Sequence, residues 1–267
     1  MTPKASRIGL RVVALGYLAL LLAIPVGVVF YRTFENGVGA VWDSVTTPAA
    51  ISAFWLTLEV AAIAVPLNVV FGIATALVLV RGRLPGKRLL NALVDLPFAV
   101  SPIVIGLSLL LLYGRDGWFG GFLMDNGIRI LFSVPGIVLA TVFVSLPFVA
   151  REVAPVLREI GDEQEQAATT LGASPWQTFR RITLPAIRWG VAYGVVLSTA
   201  RAIGEFGAVS VISGKVAGET QTLTILVEER YNNFELAGAY AASALLAVIA
   251  LLTLLAMTLL GNRSRTS

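Results

Sequence analysis

From Arg151 to Pro185 the chain reads REVAPVLREIGDEQEQAATTLGASPWQTFRRITLP. This charged stretch separates two apolar runs, Leu131 to Ala150 before it and Ile187 to about Ile212 after it. Its centre, Asp162 to Leu171, is a good helix former, with acids in the first turn where they complement the helix dipole and alanines behind them. Gly172 stops it. Ser174 suits the cap of a second helix and Pro175 its first position, where the missing N–H costs nothing. That second helix is expected over Trp176 to Ile182, ending at Leu184-Pro185. Two short helices at a bend, lying along a membrane face, follow from this reading. An ordinary amphipathic surface helix fits the same pattern, and residue physics alone does not separate the two.

Outward from this stretch the chain is strongly apolar. Of its 267 residues, 57% are hydrophobic and 13% charged, against roughly 25% charged in soluble domains. A helix crosses a bilayer with about 20 apolar residues. Besides the two flanking runs there are four more: Val12 to Tyr31, Trp55 to Val80, Leu89 to Tyr113 and about Leu236 to Leu260. The fold class expected is all-α, a polytopic membrane protein of six transmembrane helices. Val12 to Tyr31 is longer than a signal-peptide core of about 7–15 residues and has no small-residue cleavage site, so it reads as a retained helix. Asp95, Pro97 and Pro102 mark the third span as kinked or broken.

Charge sets the expected orientation. With the N-terminus in the cytoplasm, fourteen of the 20 Lys and Arg fall in cytoplasmic segments: Lys4, Arg7, Arg11; Arg81, Arg83, Lys87, Arg88; Arg151, Arg158, Arg180, Arg181, Arg188; Arg263, Arg265. Five (Arg32, Arg115, Arg129, Lys215, Arg230) fall outside, and Arg201 lies within a span. The inverted topology would oppose the positive-inside rule. Both termini are therefore expected on the cytoplasmic side of a bacterial inner membrane. The chain divides into residues 1–50 (N-terminus, first helix, outer loop), 51–262 (a five-helix core with the 151–185 loop) and a 263–267 tail. The outer loops are short.

Several functions are excluded by composition. Basic residues beside apolar runs explain the net charge of +4 without nucleic acid. The chain has no Cys and no His, which removes disulfides, thiolate metal sites, and the commonest general base and metal ligand. The P-loop that cradles nucleotide phosphates is missing: Gly82-Arg83-Leu84-Pro85-Gly86-Lys87-Arg88 is one residue short, with Arg where Ser or Thr would hold magnesium. Proton-coupled carriers often show several intramembrane carboxylates and paired, interrupted repeats, and such repeats are not evident here.

Arg201 and Glu205 are four residues apart in the fifth run, on one helical face. Intramembrane ions are costly and are usually paired or face water. The pair reads either as a structural lock or as a cation on an anion path. Glu59 and Asp95 carry the same ambiguity, and Glu59 lies at a depth from which it is expected to reach Arg201. Gly190 and Gly194 form a small-xxx-small packing pair. Gly204 and Gly207 allow close packing or a local kink.

Gln166-Ala167-Ala168, then Leu171-Gly172-Ala173-Ser174, Phe179 and Leu184-Pro185, resemble the "EAA" loop of ABC-importer permeases. Ser198 to Gly214, Gly218 to Thr224 and Val227 to Tyr231 resemble the oxyanion importers for sulfate, thiosulfate and molybdate, and among them the W-type sulfate permease subunits. Asp95-Leu96-Pro97-Phe98 with Ser101-Pro102 fits the same family, and the likeness runs from about residue 50 to the end. The resemblance implies a type I ABC-importer permease fold. It also implies a coupling helix docking on an ATPase through Glu163, Glu165, Gln166, Ala167, Ala168, Leu171, Gly172, Ala173 and Ser174. The family's usual Glu before the two alanines is Gln166 here, with Glu165 one place earlier. No cofactor is then bound by this chain. ATP and Mg belong to two ATP-binding partner subunits, and a T-type second permease and a soluble sulfate-binding protein complete the system. A homodimeric molybdate or tungstate permease is the alternative, and a secondary anion transporter a more distant one.

Overall fold

The computed structural model describes residues 4–83 and 85–264. Arg265, in the expected tail, lies outside the described residues. Among those described, the regular structure is helical, without strands.

α1 (Lys4–Leu18) runs through a π-turn (Ala19–Ala23) into α2 (Ile24–Phe34) as one rod. Pro25 cannot donate to the preceding turn, and the Ile24 N–H bonds Ala19 O, five residues back. From residue 9 onward nearly all of this rod is exposed; Thr33 alone is buried there, its hydroxyl donating to Tyr240 O at 3.0 Å. After α3 (Gly37–Val45), α4 (Pro48–Val80) is capped by Thr47, which accepts from the Ala50 N–H. Its 33 residues span about 50 Å, more than a hydrocarbon core of about 30 Å.

α5 (Lys87–Ala99) and α6 (Pro102–Tyr113) meet at 111°. The break falls at Val100 and Ser101, both extended, because Pro102 excludes helical backbone from the residue before it. Pro97 stays inside α5. The short α7 (Gly120–Asp125) precedes α8 (Val134–Glu159).

Two expectations for the central stretch are corrected. α8 does not stop at Ala150; it runs to Glu159, so Arg151 is helical. The second short helix does not end at Leu184-Pro185 either. α9 (Glu163–Thr170) is separate, but α10 (Pro175–Thr178) passes through a π-turn (Phe179–Thr183) into α11 (Leu184–Ile203). Pro185 cannot donate to the preceding turn, and the Leu184 N–H before it bonds Phe179 O, five residues back. The non-helical connection is confined to residues 160–162 and 171–174.

The fifth apolar run is also broken. α11 ends at Ile203 and α12 (Gly207–Ile212) restarts beyond Gly204–Phe206. α13 (Leu223–Asn232) and α14 (Leu236–Ser264) follow. Four described stretches are long and apolar enough to span a membrane: Gly9–Phe34, Pro48–Val80, Val134–Glu159 and Leu236–Thr253; the bent α5–α6 pair makes a fifth. α11, which carries Arg188 and Arg201, is not among them.

α4, α8 and α11 form the heart of the bundle. Val149 of α8 wedges between Gly72 of α4 and Gly194 of α11. A Cβ on Gly72 would lie 2.6 Å from Val149 Cβ, and one on Gly194 2.8 Å from Val149 Cα. Ala76, Val153, Ala154, Leu157 and Ile187 close the core around it. Gly190 also packs tightly, 3.0 Å from Glu152 O to its notional Cβ. Small residues thus let three backbones approach closely, which is how helices associate where lipid removes the hydrophobic drive. α6 and α12 pack the same way through Gly106, Gly207 and Ala208.

Candidate functional site

Polar chemistry collects in two places, the bend between α8 and α11 and the break after α11. The bend is built by backbone chemistry. Gly161 (φ +65°) ends α8 and Gly172 (φ +86°) ends α9. Ala173 N–H donates to Ala168 O and Gly172 N–H to Thr169 O, both at 3.0 Å. This is the two-bond termination that requires a left-handed residue at Gly172. Ser174 then caps α10 reciprocally: Gln177 N–H donates to Ser174 Oγ at 3.3 Å and Ser174 N–H to Gln177 Oε1 at 2.9 Å.

The bend has two faces. Glu163, Gln166, Ala167, Gly172 and Ser174 are exposed, and Leu171 and Trp176 expose 88% and 67% of their surface. Trp176 is braced by stacking on Phe179 at 5.6 Å. Glu165, Ala168 and Ala173 are half-buried. Glu165 turns inward: Arg81 Nε donates to its Oε2 at 2.9 Å and Thr183 Oγ1 to its Oε1 at 2.7 Å. Arg81 also donates to Gly161 O. Small residues and two uncovered apolar side chains are therefore presented outward, with the nearest acid held back.

At the break after α11, Arg201 Nη1 lies 2.5 Å from Glu205 Oε2, with the carboxylate side chain 1% exposed and the arginine 30%. The approach is an ion pair rather than an aligned hydrogen bond, since Oε2 lacks a hydrogen-bond donor. Oε1 accepts the Ala208 N–H at 2.8 Å, capping α12. Thr224 Oγ1 donates to Glu205 O at 2.8 Å. Glu205 thus neutralises both a cation and a helix N-terminus. Gly204 lies in the break, and Gly207 packs on Pro102, 2.9 Å from its notional Cβ.

The structure does not bring Glu59 or Asp95 to this pair. Glu59 is on the exposed face of α4, and Arg201 is held by Glu205 instead. The expected reach from Glu59 fails because Glu205 supplies the partner from the same chain segment. Asp95 is clasped by Arg151 of α8, with Nε donating to Oδ1 at 2.7 Å and Nη2 against Oδ2. This side-on fork ties α5 to α8.

Three arrangements were not foreseen from sequence. Asn68, fully buried on α4, donates to Ser145 Oγ at 2.7 Å and Ser198 Oγ at 3.3 Å, joining α4, α8 and α11. Its polarity inside an apolar run was the available signal; its partners had none. Arg230, counted among outer-segment charges, is only 7% exposed. It donates to Ser44 O, Gly238 O and Thr47 Oγ1. The third is the double grip of Arg81 and Thr183 on Glu165.

A broken-helix bundle with an exposed, glycine-terminated bend and a buried ion pair is the architecture of a transport permease. Residues 68–266 match the family model described as the binding-protein-dependent transport system inner membrane component, and the chain belongs to that family. It is 49% identical over 264 residues, 98% of this chain and 96% of the relative, to the sulfate transport system permease protein CysW of Synechocystis sp.. It is 48% identical to the CysW protein of Escherichia coli, over 91% of this chain and 83% of the relative. To the permease protein CysT of Synechococcus elongatus it is 41% identical, over 93% and 89%. Among solved structures, a bacterial ABC transporter that imports the acidic polysaccharide alginate superposes with a TM-score of 0.76 at 17% identity, covering 97% of this chain and 94% of the other. The fold is that of an ABC-importer permease, and the chain is a membrane component.

Proposed function

We propose that this chain is one of two permease subunits of an ATP-driven importer of sulfate or thiosulfate. The observation that carries the reading is its near full-length likeness to CysW proteins, 49% against 41% for a CysT protein. A CysT-type subunit is the second permease, and a soluble anion-binding protein delivers substrate from outside. Two ATP-binding subunits bind ATP and Mg and dock on the bend between α8 and α11. The chain crosses the membrane six times, with α11 as the remaining span and both ends cytoplasmic. Its 151–185 segment faces the ATP-binding subunits.

Coupling is mechanical. Leu171, Ala167 and Gln166 enter a groove on the ATP-binding subunit, and closure of that subunit pulls the bend and tilts α8 and α11. Arg201 lies on the anion path. One partly neutralised cation attracts an oxyanion without trapping it, as a conduit requires. Leu171→Asp tests the reading, because so exposed a side chain contributes little to the fold. Insertion should be unaffected, while co-purification of the ATP-binding subunit and sulfate uptake into ATP-loaded vesicles should both fall. Wild-type values for both would refute the docking role.

A further inference from the structure

α9 has only eight residues and buries none of them. Helices this short do not hold themselves in water, so its position must come from elsewhere. Among the described residues, one α9 side chain hydrogen-bonds outside the helix, and it is Glu165. Its two oxygens serve different elements. Oε2 takes Arg81, the residue that ends α4, and Oε1 takes Thr183, the last residue of the π-turn feeding α11. The π-turn matters here, because an extra residue re-phases the helix beyond it. Arg81 in turn holds Gly161 O, at the end of α8. The ends of α4 and α11 therefore meet on one carboxylate, and the end of α8 is tied in through Arg81. These are the three helices locked together by Val149 and Asn68 deeper in the bundle.

α8 and α11 are joined to α9 through the chain itself, but α4 is not. Beyond its packing on α8 and α11, it reaches the bend through Arg81, which holds Gly161 O and, across 84 residues of sequence, Glu165. We propose that Glu165 is a positioning residue that delivers movement of the bend to α4 as well as to α8 and α11, rather than a contact to the ATP-binding subunit. Gln166, exposed beside it, occupies the outward position. The proposal rests on the coupling role given to this bend above.

The test uses the complete complex in vesicles: both permeases, the ATP-binding subunits and the binding protein. Arg81→Gln, Glu165→Gln, their double variant and the charge-reversed Arg81→Glu/Glu165→Arg are compared. The readouts are co-purification of the ATP-binding subunit and sulfate imported per ATP hydrolysed. Import per ATP is expected to fall about fivefold or more in each single variant. The double variant should be no worse than either single, the charge reversal should recover at least part of the loss, and Arg81→Gln should still co-purify. Loss of co-purification in Glu165→Gln alone would make Glu165 a direct contact and overturn the proposal. Multiplying effects in the double variant, or unchanged import per ATP in all variants, would overturn it too. Failure of the coupling role itself looks different: Leu171→Asp would then match wild type in both readouts.

Discussion

Arg201 and Glu205 form an asymmetric pair. The carboxylate is all but sealed from its surroundings at 1% exposure, while the guanidinium keeps 30% of its side-chain surface. Removing either partner alone strands the other. An uncompensated buried charge costs about 3–5 kcal/mol, so single variants mix assembly with transport. Arg201→Gln/Glu205→Gln removes both charges and leaves a side-chain oxygen to cap Ala208. The double variant should assemble with its partners near wild-type yield and import sulfate at less than about a tenth of the wild-type rate, a rise of at least roughly 1.4 kcal/mol in effective barrier. Subunit yield and vesicle uptake measure the two effects separately. Normal uptake would leave the pair a structural lock only.

The close approach around Val149 makes Gly72 and Gly194 intolerant of any side chain. Gly72→Ala and Gly194→Ala should each destabilise the detergent-solubilised protein by about 1–3 kcal/mol, the range for overpacking a tight core. Gly16→Ala and Gly27→Ala, where a Cβ meets nothing within 4 Å, should be neutral or slightly stabilising. Thermal unfolding midpoints compare the two classes.

Asn68 donates to both serines, so its loss should exceed the loss of either. Ser198→Ala removes the longer bond, 3.3 Å, and should cost about 0.6 kcal/mol, an average for interhelical hydrogen bonds in membranes. Asn68→Ala, which also opens a cavity, should cost more. Denaturant titration of the two variants gives the ranking; equal costs would mean that the bond from Asn68 to Ser145 adds nothing of its own.

Gly172 is constrained by its backbone rather than by space. A Cβ there touches nothing, but φ is +86°. Gly172→Val places a β-branched residue where it is strongly disfavoured, whereas Asn visits that region readily. Gly172→Val should abolish uptake and weaken co-purification of the ATP-binding subunit, and Gly172→Asn should retain most of both. Equal behaviour of the two variants would argue against a left-handed requirement at this bend.

The orientation is open to direct labelling, because the chain has no native cysteine. Thr170→Cys should resist an impermeant thiol reagent added outside sealed cells and react once the membrane is opened. Labelling of intact cells would invert the topology.

Much of this protein was written locally. The apolar runs, the break before Pro102, the Gly172 stop and the Ser174 cap depend on residues within one or two turns of each other, and local sterics decide them. The Arg201–Glu205 pair is also local, four residues apart, although Glu205 lies in the break past the end of α11 and not on one helical face with Arg201 as expected. What depended on tertiary structure were contacts between segments distant in sequence. Asp95 alone could not announce Arg151, 56 residues away, nor Glu59 its place on the exposed face of α4. The extra turns of α8 past Ala150, and the continuity of α10 into α11, contradicted boundaries read from hydropathy, because a helix does not end where its residues become polar. Above all, Glu165 looked like an outward acid in a short surface helix. Only the meeting of Arg81 and Thr183 at the bundle end turns it inward, because a partly buried carboxylate goes where two donors can satisfy it.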